Sequence, residues 1–285
     1  MTRHSVPMLA LLVLAAGGGA AGQKPTFSTR TSAIQVDVLV TENGRPVRGL
    51  QSADFQVMDN GVLQRVDLTT FEQIPLNVVL AFDISASVKG ARLDDLRAAG
   101  TRLLDALRKG DRVALVTFSH VVTLDSPLTE NVDQLRGALG RVEPEGLTSL
   151  VDATHAAMMV GESDVGRSLA IVFSDGLDTS SWLTPEIVLE TARRTDVVVC
   201  GISVAHSPDS FLRDVTALTG GSLVNLDSTR NLDQTFLRLL DEFRDRYLVS
   251  YSPRGVSPGG WHRLDVRIKG RRVAVKARPG YLAGS

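Results

Sequence analysis

The feature that most constrains this chain lies between Leu76 and Arg246, where near-continuous apolar runs alternate with amphipathic helical stretches. The runs are Asn77 to Phe82, Arg112 to Phe118, Ser168 to Phe173, Val197 to Val204 and Ser222 to Leu226. A strand reads as unbroken apolar when both faces of its sheet are covered, and helices between successive strands force parallel pairing. The region therefore predicts an α/β fold with a mostly parallel sheet covered on both faces. Thr184-Pro185 and Ser207-Pro208 each read as an N-cap followed by the first helical position. Leu232, Phe236, Leu239, Leu240 and Phe243 recur on one helical face that should pack on the sheet. Val121 to Leu124 follows Ser119-His120 too closely for a crossover, so it is expected as an antiparallel edge strand.

On either side the pattern turns β. Ala33 to Val40 alternates with period two, and Asn43-Gly44 and Asn60-Gly61 are hairpin-type turns. After Arg246, Tyr247 to Tyr251, His262 to Ile268 and Arg272 to Ala277 alternate, with turns at Pro258-Gly259-Gly260 and Gly270. Segments below about 40 residues seldom fold alone without a disulfide or metal. Cys200 is the single cysteine, so no internal disulfide exists, and its apolar run makes it a core residue. The flanks, with about seven short strands between them, are therefore expected to build one small all-β sandwich into which the α/β region is inserted. The alternative is two separate β appendages or extra strands on the main sheet's edge.

Arg3 and His4 precede an apolar run from Val6 to Ala16 and a small-residue stretch from Gly17 to Gly22, the order of a secretory signal. The run is shorter than the roughly 20 residues of a spanning helix. The expected division is residues 1–22 as signal peptide, 26–75 as the first part of the sandwich, 76–246 as the α/β domain and 247–282 as the second part. The signal is either cleaved or retained as an anchor. With 43% hydrophobic and 22% charged residues the chain is globular rather than disordered. A net charge of −1 and the lack of a basic cluster argue against nucleic acid and against an anionic membrane surface. The mature chain is expected outside the cytoplasm, periplasmic or secreted, with no membrane insertion.

Three segments carry chemistry. The first strand of the α/β region ends in Asp83-Ile84-Ser85-Ala86-Ser87, placing a carboxylate and two hydroxyls beyond a strand's carboxyl end, where open α/β sheets bind ligands. Gly146-Leu147-Thr148-Ser149 offers another hydroxyl just before a helix. Ser174-Asp175-Gly176 ends the strand Leu169 to Phe173 and offers a second carboxylate. For any one of these residues, capping a helix or ending a strand is an equally good explanation. The three together are not so easily dismissed.

In this order and spacing, DISAS at 83–87, GLTS at 146–149 and SDG at 174–176 resemble the von Willebrand factor A family. The resemblance implies an α/β fold with a doubly wound, mostly parallel, Rossmann-like sheet and, at its top, a metal-ion-dependent adhesion site with a complete ligand set. Ser85, Ser87 and Thr148 would contact the ion, and Asp83 and Asp175 would bind directly or through water. All five donors are hard oxygens, which suit Mg²⁺ first, with Mn²⁺ or Ca²⁺ as alternatives, and disfavour Zn²⁺ or copper. The implied function is a non-enzymatic, metal-dependent protein-binding module for adhesion, assembly or scaffolding. A carboxylate presented by a protein partner would complete the metal shell. Two other readings stand beside it: a metal-dependent hydrolase, and a structural domain whose metal ties loops together. A hydrolase would need a general base at the ion. Glu143 and Glu145 are near in sequence but expected on the surface. The flanks GRPVRGLQSADFQVMDNG (44–61), YLVSYSP (247–253) and RPGY (278–281) also resemble exported bacterial proteins related to the same family.

Other residues carry less. His120, His155, His206 and His262 lack the spacing of a zinc site. Asp178 either supports the site through hydrogen bonds or is a turn residue. Trp182 is either an exposed aromatic beside the site or a core residue.

Overall fold

A computed structural model of the chain describes residues 33–69, 74–162, 166–204 and 210–284. The expected signal at 1–22, Ser207-Pro208 and His206 lie outside the described residues.

The first flank contains β1 (Ile34–Glu42), β2 (Arg45–Pro46), β3 (Phe55–Asp59), β4 (Val62–Gln64) and β5 (Asp67–Thr69). The central region follows as β6 (Leu76–Asp83), α1 (Ala91–Asp105), β7 (Arg112–Phe118), β8 (Val122–Thr129), α2 (Val132–Arg141) and α3 (Leu150–Gly161). It continues with β9 (Arg167–Ser174), α4 (Pro185–Ala192), β10 (Val198–Ser203), α5 (Ser210–Thr219), β11 (Leu223–Asn225) and α6 (Leu232–Arg244). The second flank supplies β12 (Tyr247–Tyr251), β13 (Gly260–Ile268), β14 (Ala274–Lys276) and β15 (Gly280–Ala283).

The central sheet runs β11-β10-β9-β6-β7-β8, parallel except for the antiparallel edge strand β8. Every residue of β6 and β9 is buried, as a sheet covered on both faces requires. Along β6, Val78, Leu80 and Phe82 pack with α1, α2 and α6 on one face. Val79 and Ala81 pack with α3, α4 and α5 on the other. Chain order runs outward from β6 in one direction through β7 and β8, and from β9 in the other through β10 and β11. The β6/β9 pair is thus the point where the winding reverses, and its carboxyl end is where such sheets place ligands.

The flanks form two further sheets, and each draws strands from both ends of the chain. One runs β14-β1-β12-β5, with β2 on β1, and the other runs β15-β13-β3-β4. Val36, Val38, Val40, Phe55 and Val57 share a core with Tyr247, Val249, Tyr251, Leu264, Ile268 and Tyr281. The last strand before the central region, β5, and the first strand after it, β12, are antiparallel neighbours. The two crossings therefore lie side by side. Both Asn-Gly turns form with positive φ, 51° and 74° at Asn43-Gly44 and 47° and 83° at Asn60-Gly61, as tight hairpins of this twist require.

The flank sheets meet the amino-terminal ends of the central strands. Arg167, at the start of β9, donates from Nε to Asp37 of β1 at 2.7 Å and stacks on Phe243 of α6. Arg278 reaches the Thr195 carbonyl and Asp196, just before β10. These contacts lie at the opposite end of the sheet from the carboxyl ends of the strands.

Candidate metal centre

The winding reversal ends in polar residues on both strands. β6 closes on Asp83 and β9 on Ser174, and the Ser174 hydroxyl donates to Asp83 Oδ2 at 2.7 Å across the gap. Asp83 Oδ1 accepts the Ser85 backbone N–H at 2.8 Å, which turns the chain sharply out of the strand. The Ser85 and Ser87 hydroxyls then lie 3.0 Å apart. Ser87 Oγ donates to Asp175 Oδ1 at 2.7 Å, joining the first loop to the third. Asp83, Ser85, Ser87 and Asp175 are thus strung on one continuous hydrogen-bonded path.

Thr148 arrives from the second loop, which is pinned to the first in register. Ala86 N–H donates to the Gly146 carbonyl at 3.1 Å and Glu145 N–H to the Ile84 carbonyl at 2.8 Å. Gly146 adopts φ +70°, and a Cβ there would collide with the His120 ring. Only glycine lets the loop pass so close to that ring. On its other side Thr148 meets the third loop, because its hydroxyl lies 3.6 Å from where a Cβ on Gly176 would stand. The structure therefore brings all five sequence-predicted donors to one end of the sheet.

The third loop is clamped on the start of α3. Thr179 and Ser180 N–H groups both donate to the Thr148 carbonyl, at 2.8 and 3.1 Å. Ser149 and Ser180 hydroxyls pair at 2.8 Å, and Ser181 Oγ accepts the Asp152 N–H. Asp178 belongs to this clamp, accepting the Val151 N–H at 3.2 Å and the Ser181 hydroxyl at 2.5 Å. Asp152 in turn accepts the N–H groups of Trp182 and Leu183. Trp182 is no core residue: it is 92% exposed at the end of this rigid loop. Leu147, Leu177 and Val121, on the neighbouring loops, are also exposed.

The electrostatics are uneven. Asp83 is fully buried, and among the described residues no cationic side chain pairs with it. Burial pushes its carboxyl above the usual range; the donors Ser85 and Ser174 pull the other way, and nearby Asp175 adds to the rise. Asp175 does have a cation, for Arg92 Nη1 donates to its Oδ2 at 2.5 Å. Arg92 carries no motif in the sequence, and only the fold places it here.

The donor set fits a small hard dication. Two carboxylates and three hydroxyls are all oxygen, and a buried carboxylate without a counter-charge is the feature a bound cation would offset. Among the described residues no group of three or more His, Cys, Asp or Glu side chains gathers as a metal cage, and this cluster itself has only two carboxylates beside its hydroxyls. Of the histidines, His262 is buried against Asp59 in the flank sheets, far along the chain from these loops. Cys200 is buried in the core, and its thiol is pushed up by that burial. Glu143 and Glu145 are exposed.

Residues 78–177 match the von Willebrand factor type A domain family. Inter-alpha-trypsin inhibitor heavy chain H4 of Bos taurus is 25% identical over 255 residues, covering 81% of this chain and 28% of its own length. Heavy chain H6 of Homo sapiens is 25% identical over 253 residues, covering 76% of this chain. The chain thus spans 28% and 19% of the lengths of these two relatives. Among solved structures, proximal thread matrix protein 1 from the mussel byssus superposes with a TM-score of 0.55 at 18% identity. That match covers 64% of this chain and 49% of the mussel protein, whose structure has a zinc-occupied MIDAS motif. The D319A mutant of the PilB minor pilin of Streptococcus sanguinis gives a TM-score of 0.51 at 13% identity, covering 61% of this chain and 62% of the pilin. These likenesses establish a von Willebrand A-like α/β fold with added β sheets.

Proposed function

We propose that Asp83, Ser85, Ser87, Thr148 and Asp175 hold one divalent cation, Mg²⁺ first among candidates, and that the protein uses it to capture a protein partner through a carboxylate. The reading places this recognition outside the cytoplasm, in adhesion, assembly or scaffolding. The observation that carries it is the five-oxygen cluster itself, pinned by hydrogen bonds between three loops around a buried carboxylate that lacks a counter-cation. When bound, a dication supplies the charge that offsets the two carboxylates and an exchangeable coordination position for an incoming acidic group.

The surroundings suit a protein partner better than a small molecule. Trp182, Leu147, Leu177 and Val121 expose apolar surface on the loops around the donors. A rigidly held, solvent-facing Trp is the residue type that most often dominates binding energy at protein interfaces. With a dication in place, the two carboxylates and the Arg92 guanidinium leave the cluster with one net positive charge. That sign favours an acidic partner group. The mussel matrix protein and the pilin, both non-cytoplasmic by name, lend weight to the setting.

The test is capture by the immobilised full chain from envelope and supernatant fractions of the producing cell, in Mg²⁺ and again with chelator. A partner retained only in Mg²⁺, and lost by Trp182→Ala although that variant keeps its Mg²⁺ affinity, is the expected result. Retention that is unchanged by chelator would contradict the proposal.

A further inference from the structure

Arg92 stands in a position that helix energetics disfavour. It is the second residue of α1, in the first turn, where the helix dipole opposes a cation. What holds it there is the site. Its Nη1 donates to Asp175 Oδ2 at 2.5 Å and to the Ser87 carbonyl at 3.3 Å. Asp175 therefore has both oxygens engaged, Oδ1 by the Ser87 hydroxyl and Oδ2 by the guanidinium. The Asp175 side chain is completely buried, whereas that of Arg92 is 47% exposed. The carboxylate is fixed, and the cation beside it has an open path to solvent.

We infer that Arg92 is a built-in counter-cation of the metal site, occupying Asp175 in the metal-free chain and giving way when a dication binds. The inference rests on the metal-site reading above. A guanidinium and a dication within reach of one buried carboxylate repel each other in a region of reduced dielectric, so each weakens the other's hold. Among the described residues Asp83 has no such cation; only Asp175, beside the half-exposed guanidinium, is guarded. Displacement moves Arg92 outward to the rim, next to the position a partner's carboxylate would approach. A guanidinium there can fork onto a carboxylate, so loading the metal also frees a second anion-binding group.

Calorimetric titration of Mg²⁺ into the full chain, stripped of metal and at low ionic strength, tests this with Arg92→Gln and Arg92→Lys. Arg92→Gln is expected to bind Mg²⁺ about tenfold more tightly than the parent, within the usual range of coupling between two ligands. Arg92→Lys, which keeps the charge, should stay near the parent. Melting supplies an independent readout. Metal-free Arg92→Gln should melt below the metal-free parent, because Asp175 is left buried without its cation, and the gap should close at saturating Mg²⁺. Equal or weaker Mg²⁺ binding by Arg92→Gln overturns the inference and leaves the metal site standing. Lys behaving like Gln also overturns it, since charge would then not be the cause. No divalent binding by any of the three proteins sinks the metal-site reading, and the inference falls with it.

Discussion

Asp83 is held between two demands. Burial at the end of β6 opposes its charge, while the Ser85 N–H and the Ser174 hydroxyl support it. A neutral amide sheds the charge, keeps the Ser85 bond on its oxygen, and can turn its NH₂ to donate to the Ser174 hydroxyl, whose proton has the Gly176 carbonyl at 3.1 Å as another acceptor. Metal-free Asp83→Asn is therefore expected to be as stable as the parent or more so, by up to about 1 kcal/mol. It should also lose the stabilisation by Mg²⁺, which for the parent is about 2.7 kcal/mol at a hundredfold excess over the dissociation constant. Thermal melts of both proteins with and without Mg²⁺ measure this. A variant still stabilised by Mg²⁺ as strongly as the parent would remove Asp83 from the site. At this scale the donors were legible because each belongs to a short run at a strand or helix end. Arg92 and His120 were not legible, since their places follow from loop packing and neither sits in a pattern. Trp182 was left open because a loop aromatic reads alike whether it turns in or out.

At the scale of elements, the strand order around β6 followed from apolar runs and connection lengths. The ends moved by a residue or two, as hydrogen bonding decides them. β8 is longer than its expected four residues, reaching Thr129 through Asp125 and Pro127. Those residues look like breakers, but an edge strand tolerates exposed charge and a missing N–H. β15 was missed because Gly280 and a short apolar run disguise a strand that pairs with β13. In the flank sheets, β3, β12, β13 and β15 enclose a polar cluster that no pattern announced. Asp59 Oδ2 accepts the Tyr251 and Tyr281 hydroxyls at 2.9 Å each, and Oδ1 lies 2.7 Å from His262 Nδ1. Tyr247 is likewise tied, donating to the Val47 carbonyl at 2.8 Å. Burial raises all three tyrosines above their ordinary range, with the Asp59 carboxylate adding to the rise at Tyr251 and Tyr281. A raised phenol contributes stability that is complete below the unfolded value of about 10 and is lost as pH climbs beyond it. Stability should therefore fall above about pH 10, with tyrosinate absorbance rising together with loss of structure. Tyrosinate appearing well before unfolding would contradict that. Tyr251→Phe should cost about 1–3 kcal/mol at neutral pH, because Asp59 loses a buried donor, and should flatten the alkaline fall.

At the scale of the molecule, the chain crosses between its flank sheets and its central sheet twice, on neighbouring strands β5 and β12. Shared flank sheets were legible from segment length and the lack of a disulfide. Among the described residues the flanks carry nine strands where seven were expected, because strands as short as β2, β5 and β15 leave no periodic trace. We propose that the flanks fold as one sandwich bearing the central region as an insertion. Removing residues 247–285 deletes partners of β1, β3 and β5 and half of the buried shared core. Residues 33–69 should then become protease-sensitive while 76–246 remain resistant, which limited proteolysis with mass spectrometry would read. Survival of 33–69 would count against the shared sandwich. The five candidate donors lie at the opposite end of the central sheet, and the proposal stands or falls on what binds there. Crystals of the full chain soaked in Mn²⁺ and measured for anomalous scattering test it most directly. One peak is expected, within bonding distance of Ser85 Oγ, Ser87 Oγ and Thr148 Oγ1 and beside Asp83 and Asp175. No peak among those five residues, or a peak bound elsewhere with the five unengaged, would contradict it.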